Sequence, residues 1–511
     1  MAVGGVGVEG AGGSDFNGKI TVSVVISCII AATSGLLFGY DTGISGGVTT
    51  MASFLEKFFP EILRKMRSAE TNVYCVYDSQ VLTLFTSSLY LAGLISSLAA
   101  SRVTAMFGRR NTMILGGATF LLGGALNAAA QNIAMLIVGR IFLGFGVGFT
   151  NQATPVYLSE VAPAKWRGAL NAGFQFFLSV GVVAAGCINY ASAKRSWGWR
   201  LSLGLAVVPA AIMSSGALLI SDSPSSLIER NRLEEARKAL RRVRGKDTDV
   251  EAELEELVKW SEVAKTMKEE PFLTIFKRQY RPHLVMAIAI PFFQQLTGIN
   301  IVAFYAPNLF QSVGFGNDAS LLSAIVLGVV SLIAVLFASV VVDRFGRRLL
   351  FIAGGTLMFL SVAVVLAVST GTDGSKELSK GRAILVLVFM SLYAGGFGWS
   401  WGPLTWLIPS EIFPLQIRTT GQSISIAVNF LTVFILSQTF LTMLCHFKFG
   451  AFLFYAAWIA LMTLFVILFL PETKGIPLES MYMVWAKHWY WRRFVTPQPN
   501  HIHNHQPSPA P

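Results

Sequence analysis

Residues 81–110 read VLTLFTSSLYLAGLISSLAASRVTAMFGRR: an apolar run over 81–101, then a short turn closing on Phe107-Gly108-Arg109-Arg110. The arrangement returns at 320–348, SLLSAIVLGVVSLIAVLFASVVVDRFGRR, which closes on Phe345-Gly346-Arg347-Arg348 at an offset of 238 residues. A bilayer core of about 30 Å is crossed by a helix of about 20 apolar residues, and both runs reach that length. A second pair of motifs follows in the same order. Ser159-Glu160-Val161-Ala162-Pro163 with Arg167 is matched, 251 residues on, by Ser410-Glu411-Ile412-Phe413-Pro414 with Arg418. Two motifs repeated in order behind equivalent runs predict two parallel copies of one helical unit. Transporters whose halves rock around a midplane site are built this way.

Working outward from these runs, the sequence divides into twelve predicted spans. They cover 21–48, 81–101, 112–130, 133–153, 169–190 and 201–220, then 284–307, 320–342, 349–369, 383–409, 421–444 and 450–470. The expected fold is an all-α polytopic membrane protein, twelve transmembrane helices in two six-helix pseudo-repeats. Its expected parts are an N-terminal tail (1–20), a first bundle (21–220) with an outer loop at 49–80, a linker (221–283), a second bundle (284–470) and a C-terminal tail (471–511). The first span is too long, and too far from a small-residue cleavage site, to read as a signal peptide. The short dyad-alternating strands of a β-barrel are not the pattern here.

Composition agrees. Hydrophobic residues make up 53% of the 511 and charged residues 13%, against roughly 25% charged in a soluble domain. That excludes an aqueous fold and intrinsic disorder. The net charge of +12 does not indicate a nucleic-acid partner, because the basic residues punctuate apolar runs instead of covering a soluble face. One side of the predicted membrane carries 28 Lys and Arg and the other 11, with Arg140 inside a span. The 221–283 segment holds 14 of these, and long segments are weak evidence for orientation. The short FGRR turns decide: both termini are expected in the cytoplasm. Within the linker, Leu233, Ala236, Leu240 and Val243, then Leu254, Leu257 and Val258, recur at helical spacing. Amphipathic helices lying on the cytoplasmic face, or a solvated linker, fit that pattern.

The double FGRR turn and the paired SE-x3-P motifs, with Gln294-Gln295-Leu296-Thr297-Gly298-Ile299-Asn300 and Pro471-Glu472-Thr473-Lys474-Gly475, resemble the sugar porter family of the major facilitator superfamily. Phe38-Gly39-Tyr40-Asp41, the Cys-bearing outer loop and Leu441-Thr442-Met443-Leu444-Cys445-His446 are similar to the plant monosaccharide–proton symporters within it. The resemblance covers residues 20–490. It implies twelve helices, alternating access and proton-coupled uptake of hexoses such as glucose, galactose or mannose, with a monomeric transport unit in the plasma membrane.

Asp41 and Arg140 each lie about seven residues inside a span, or about 10 Å deep at 1.5 Å per residue. Ionisable groups at that depth are costly and mark either a static ion pair or a functional one. The resemblance implies that Asp41 accepts and releases the proton and that Arg140 is its partner. Protonating Asp41 frees Arg140, and the change in which conformation is favoured couples the two solutes.

A sugar hydroxyl both donates and accepts, and amides can answer both needs. Gln175, Gln294, Gln295, Asn300 and Asn429 lie well inside apolar spans. Each could instead be interhelical glue, worth about 0.6–2 kcal/mol. The Gln-Gln-x4-Asn group argues for a site, because its members cluster on one part of a helix. The resemblance implies sugar contacts at these five amides and at Trp406, with Phe38 and Gly402 lining the site. Ser331 departs from the pattern: many relatives carry an amide there.

At the cytoplasmic ends, Glu160, Arg167, Glu411 and Arg418, with Arg109, Arg110, Arg347 and Arg348, can form a gate of salt bridges, or can simply fix topology. Exposed pairs contribute only about 0–1 kcal/mol each, so a network is needed to bias a conformation. Asp343 precedes Arg344-Phe345-Gly346, whereas Ala105 holds the equivalent place in the first half, so the gate is expected to be asymmetric. Cys75 and Cys445 both face the oxidising side, where a disulfide is permitted; the resemblance implies one that ties the outer loop to the second half. No nucleotide-binding motif, catalytic triad or metal cluster suggests an enzyme, and no cofactor is expected. A facilitative carrier, a polyol or pentose carrier, and a sugar sensor without turnover are the other readings of the chain.

Overall fold

The computed structural model describes residues 21–67, 75, 79–163, 166–245, 250–266, 271–300, 302, 316–369, 380–447, 450–476 and 481–495. Span 1 begins at Thr21, whose hydroxyl accepts the Val24 N–H at 3.2 Å and satisfies one of the free donors of a helix start. It runs over Val22–Ala32, bends at Thr33 and continues over Ser34–Val48. Spans 2 to 5 are Gln80–Phe107, Arg109–Ala128, Ile133–Val161 and Arg167–Ser192. Span 6 comprises Gly198–Gly204 and Val207–Leu219. In the second half, spans 7 to 9 are Arg281–Leu296, Asn317–Phe345 and Arg347–Ser369. Span 10 is broken at Ser400 into Lys380–Trp399 and Trp401–Ile412, and spans 11 and 12 are Arg418–Phe447 and Gly450–Phe469.

Among the described residues, ten of these stretches are long and apolar enough to cross a bilayer. The two others have local reasons. Span 3 is diluted by two Gly-Gly pairs, at 116–117 and 123–124, and by Asn111 and Asn127. In span 7 the helix stops at Leu296, and Gly298 turns the chain with φ 84°, a value a side chain resists. Most of the predicted 284–307 span beyond Asn300 lies outside the described residues.

Gly108 and Gly346 join spans 2 to 3 and 8 to 9, both with φ 87°. A β-carbon at Gly108 would overlap the Asp222 carboxylate, and one at Gly346 the Glu472 carboxylate. The FGRR glycine is therefore required by backbone angle and by space.

Span 2 packs along span 11 and span 5 along span 8, so these pairs join the halves. Within the first half, Gly35, Gly39, Gly43 and Gly47 form a ridge of every fourth residue against span 5; a β-carbon at Gly39 would stand 1.9 Å from Leu178 O. Close backbone approach of this kind is how apolar helices gain contact in lipid. The linker forms helices at Pro224–Glu229, Leu233–Arg244 and Val250–Thr266. They bury Leu227, Ile228, Ala236, Leu240 and Leu254 against one another, so the amphipathic periodicity is observed; Leu233 alone of the expected first set is exposed, at 46%. The Thr21 hydroxyl donates to Val243 O at 2.7 Å, pinning the linker to span 1.

Candidate functional site

The end of the molecule that bears the FGRR turns carries two matching charge clusters. In the first, Arg109 donates to Glu160 at 2.9 Å and to Glu229 at 2.6 Å, and Ser223 donates to Glu160. In the second, Arg347 donates to Glu411 at 2.7 Å and to Asp343 at 3.0 Å, and Thr473 donates to Glu411 at 2.9 Å. The backbone N–H groups of Arg109 and Arg110 both donate to Asp222, as those of Arg347 and Arg348 do to Glu472. Arg110 then caps span 6 at Ala217 O and Leu218 O, and Arg348 caps span 12 at Ile467 O.

The expected asymmetry has a specific form. Asp343 serves Arg347 from the end of span 8, the helix just before it, while the first half draws its extra acid from the linker, at Glu229. Sequence reading missed Asp222-Ser223 as the counterpart of Glu472-Thr473. The signal was present, an acid followed by a hydroxyl residue just after spans 6 and 12.

Several polar contacts between described residues join the halves at this end. Arg418 lies 3.5 Å from Glu160, and Asp343 accepts the Ala169 N–H at 3.0 Å. Asn171 donates to Ser410 at 3.0 Å, and Gln152 to Thr419 O at 3.5 Å. Arg167 begins span 5 beside this cluster.

Between the halves lies a cleft of about 1010 Å³, counted to its open side. Phe38, Gln175, Gln294, Asn300, Ser331 and Trp406, all expected from the sequence, line it, and the wall continues to Gly47, Asn189 and Leu321 toward the other end. Phe38 meets Trp406 edge-on at 6.5 Å, and Trp406 meets Phe174 at 5.1 Å, so aromatic rings from both halves make the floor. Gln175 Oε1 and Trp406 Nε1 are buried without a partner among the described residues.

The other expected residues stand behind this wall. Asn300 donates to Gln295 at 2.7 Å, Gln295 to Asn429 at 2.8 Å and Asn429 to Gln294 at 2.9 Å. This amide relay leaves the Gln294 Nε2 donor and the Asn300 Oδ1 acceptor at its two ends, on the two members that face the cleft. Gln295 and Asn429 orient those ends. Gly402 lies against Gln175, where a β-carbon would come within 3.3 Å of Nε2.

The Asp41 and Arg140 side chains form a buried ion pair, with 3% and 0% of each residue exposed. Arg140 also donates to Ser45, one turn along span 1, and its guanidinium lies 4.4 Å from the Phe85 ring centroid. Desolvation and attraction nearly balance in such a pair, whereas removing either charge strands the other. One proton can therefore decide whether the contact holds. The same short helix, Ser34–Val48, turns Asp41 and Ser45 to span 4 and Phe38, Thr42, Gly43 and Gly46 to the cleft.

At the far end, Cys75 and Cys445 form a disulfide with Cα atoms 4.6 Å apart, joining the loop before span 2 to the end of span 11. Ser87, Thr83 and Gln80 of span 2 also hydrogen-bond to Gln438 of span 11.

The family model described as "Sugar (and other) transporter" matches residues 27–485. Sugar transport protein 5 of Arabidopsis thaliana is 62% identical over 503 residues, covering 97% of this chain and 99% of that protein. Sugar transport protein MST3 of Oryza sativa subsp. japonica is 55% identical over 505 residues, covering 98% and 97%. Among solved structures, the major facilitator superfamily proton:xylose symporter XylE bound to 6-bromo-6-deoxy-D-glucose is 27% identical and covers 90% of this chain and 99% of its own, with a TM-score of 0.78. The inward-open xylose transporter XylE from E. coli, also 27% identical and covering 89% and 98%, gives 0.67. With a family match through nearly all twelve spans and relatives matched over almost their whole length, this chain is a multi-pass membrane protein that belongs to the sugar (and other) transporter family of the major facilitator superfamily.

Proposed function

We infer that this protein is a sugar–proton symporter that works by alternating access and takes hexoses of the glucose class. The observation that carries the reading is the helix Ser34–Val48, which presents Asp41 to Arg140 on one side and Phe38 and Thr42 to the cleft on the other. A change in the ion pair is thereby a change in the wall of the sugar site. The relatives named above support the substrate class, and the one described as a proton:xylose symporter supports the coupling.

In this reading Gln175, Gln294, Asn300, Ser331 and Trp406 hydrogen-bond the sugar hydroxyls. Phe38 and the Trp406 ring cover the apolar C–H face of the pyranose, and Gly402 leaves room for Gln175. The shorter Ser331 meets its hydroxyl through a water or at closer range. Asp41 carries the proton, and Arg140 holds its charged form. The clusters around Glu160 and Glu411, with Arg418 and Asp343 crossing between halves, form the cytoplasmic gate. The contacts of Arg418 with Glu160 and of Asp343 with the Ala169 N–H, made between the halves, support this reading. Both termini lie in the cytoplasm, the membrane is the plasma membrane, and one chain is the transport unit. The halves are 21–220 and 284–470, with 221–283 as the cytoplasmic linker.

The test is uptake of labelled glucose into proteoliposomes across an imposed pH gradient, with and without a protonophore. Accumulation that collapses with the protonophore supports symport. Equilibration unaffected by the gradient indicates a facilitative carrier, and binding without uptake a sensor.

A further inference from the structure

Two indoles close the end of span 12. Trp489 Nε1 donates to Leu468 O at 3.0 Å and Trp491 Nε1 to Phe469 O at 2.8 Å. These carbonyls belong to the last turn, where no further helical N–H can reach them. The bonds fix the tail at the depth where the apolar helix stops, the interface at which tryptophan and tyrosine concentrate in membrane proteins. Trp491 is buried there, whereas Trp489 is 58% exposed.

The surroundings of Trp489 are cationic. The Arg493 guanidinium lies 4.3 Å from the Tyr490 ring centroid and 6.0 Å from that of Phe494. Arg281, the first residue of span 7, comes within 5.6 Å of the same Phe494 ring. Arg278 donates to Arg493 O at 3.4 Å. Arg278, Arg281, Arg492 and Arg493 are all exposed, and among the described residues no carboxylate pairs with any of them. A guanidinium stacked on a ring keeps its N–H groups available for an oxyanion. From this cluster Leu461, Leu464 and Leu468 form an exposed apolar line along span 12.

We propose that the tail 481–495 and the start of span 7 form a binding site for one anionic phospholipid. Arg281 and Arg493 hold the phosphodiester, the Trp489 ring lies at the glycerol level, and an acyl chain follows Leu468, Leu464 and Leu461. The apolar line selects a lipid over a soluble phosphate. Charge complementarity selects an anionic headgroup over a zwitterionic one.

The test uses the full-length chain, purified and stripped of lipid in detergent. It is offered phosphatidylglycerol or phosphatidylcholine, with bound lipid counted by native mass spectrometry. Wild type retains one phosphatidylglycerol in preference to phosphatidylcholine. The double variant Arg281→Gln, Arg493→Gln loses that preference, with phosphatidylglycerol affinity lower by roughly tenfold or more and sugar affinity unchanged. The variant Arg281→Lys, Arg493→Lys keeps most of the preference. If the glutamine pair does not fold, Trp489→Ala, which leaves every charge in place, carries the test and binds phosphatidylglycerol more weakly than wild type. Equal phosphatidylglycerol retention by wild type and by a folded Arg281→Gln, Arg493→Gln or Trp489→Ala variant overturns the proposal. So does displacement of the lipid from wild type by millimolar inorganic phosphate, which marks a plain phosphate site.

Discussion

Arg418 Nη1 lies 3.5 Å from Glu160 Oε1, an arginine of one half set against a carboxylate of the other that Arg109 also holds. Neutralising Arg418 leaves Glu160 satisfied within its own half, so Arg418→Gln loosens the junction without stranding a charge. We expect this variant to populate the state open at the arginine-rich end more than wild type does. Spin-label distances across that end should lengthen in a larger fraction of molecules. Glu160→Gln should melt at a lower temperature than Arg418→Gln, because it takes a partner from the fully buried Arg109. Equal melting temperatures and unchanged distances count against the gate.

Asp41→Asn removes the group that titrates and leaves its shape. Proton-driven accumulation should vanish, while sugar exchange between two pools persists. Wild-type uptake should fall as external pH rises, since the protonated Asp41 is then harder to form, and the variant's residual flux should be flat over the same range. Accumulation against a gradient by Asp41→Asn contradicts the assignment.

The amide relay makes separate predictions for its wall and its backing. Gln294→Ala deletes a donor that faces the cleft, and Asn429→Ala cuts the relay at its centre and frees Gln294 and Gln295 to turn. Each loss of a desolvated hydrogen bond costs about 1–3 kcal/mol, or roughly 5- to 150-fold in sugar affinity. Gln295→Ala should fall in the same range, although Gln295 does not line the cleft. Isothermal titration with glucose reads all three. Unchanged affinity in Gln295→Ala and Asn429→Ala, with loss in Gln294→Ala, reduces the relay to interhelical glue.

The Cys75–Cys445 bridge ties Cys75, before span 2, to the end of span 11. If the tie at Cys75 keeps bulk water from Asp41, it helps that carboxyl hold a proton under the proposed coupling. In the double variant Cys75→Ala, Cys445→Ala, uptake should decline more steeply as external pH rises. A pH profile that superimposes on wild type leaves the bridge a purely structural one.

The twelve spans were legible because a bilayer sets their length, and the FGRR and SE-x3-P pairs marked equivalent ends. The Asp41–Arg140 pairing was legible as two costly charges at matched depth. The breaks at Thr33 and Ser400 were not, since each falls inside an apolar run whose hydropathy does not change there. The resemblance set Gln295 and Asn429 among the sugar contacts; their burial in apolar spans does not by itself say whether an amide faces a cleft or another amide. Glu229 was hidden for a different reason. It lies in the linker, 120 residues from Arg109, and only the folded linker brings it to that arginine.

Glu229 also bears on where the gene could be divided. The linker helices through Thr266 are fastened to the first half: Glu229 to Arg109, Arg244 to Val161 O, Val243 O to Thr21. The second half completes its own cluster from Asp343 and from Glu472-Thr473 at its far end. A cut between Thr266 and Pro271 therefore separates two self-sufficient bundles, each with every ligand of its principal arginine. Two cistrons divided there should complement each other in one membrane, with Cys75–Cys445 left as the covalent tie between them. A cut between Leu219 and Glu229 should not, because it gives the first arginine's partner to the wrong polypeptide.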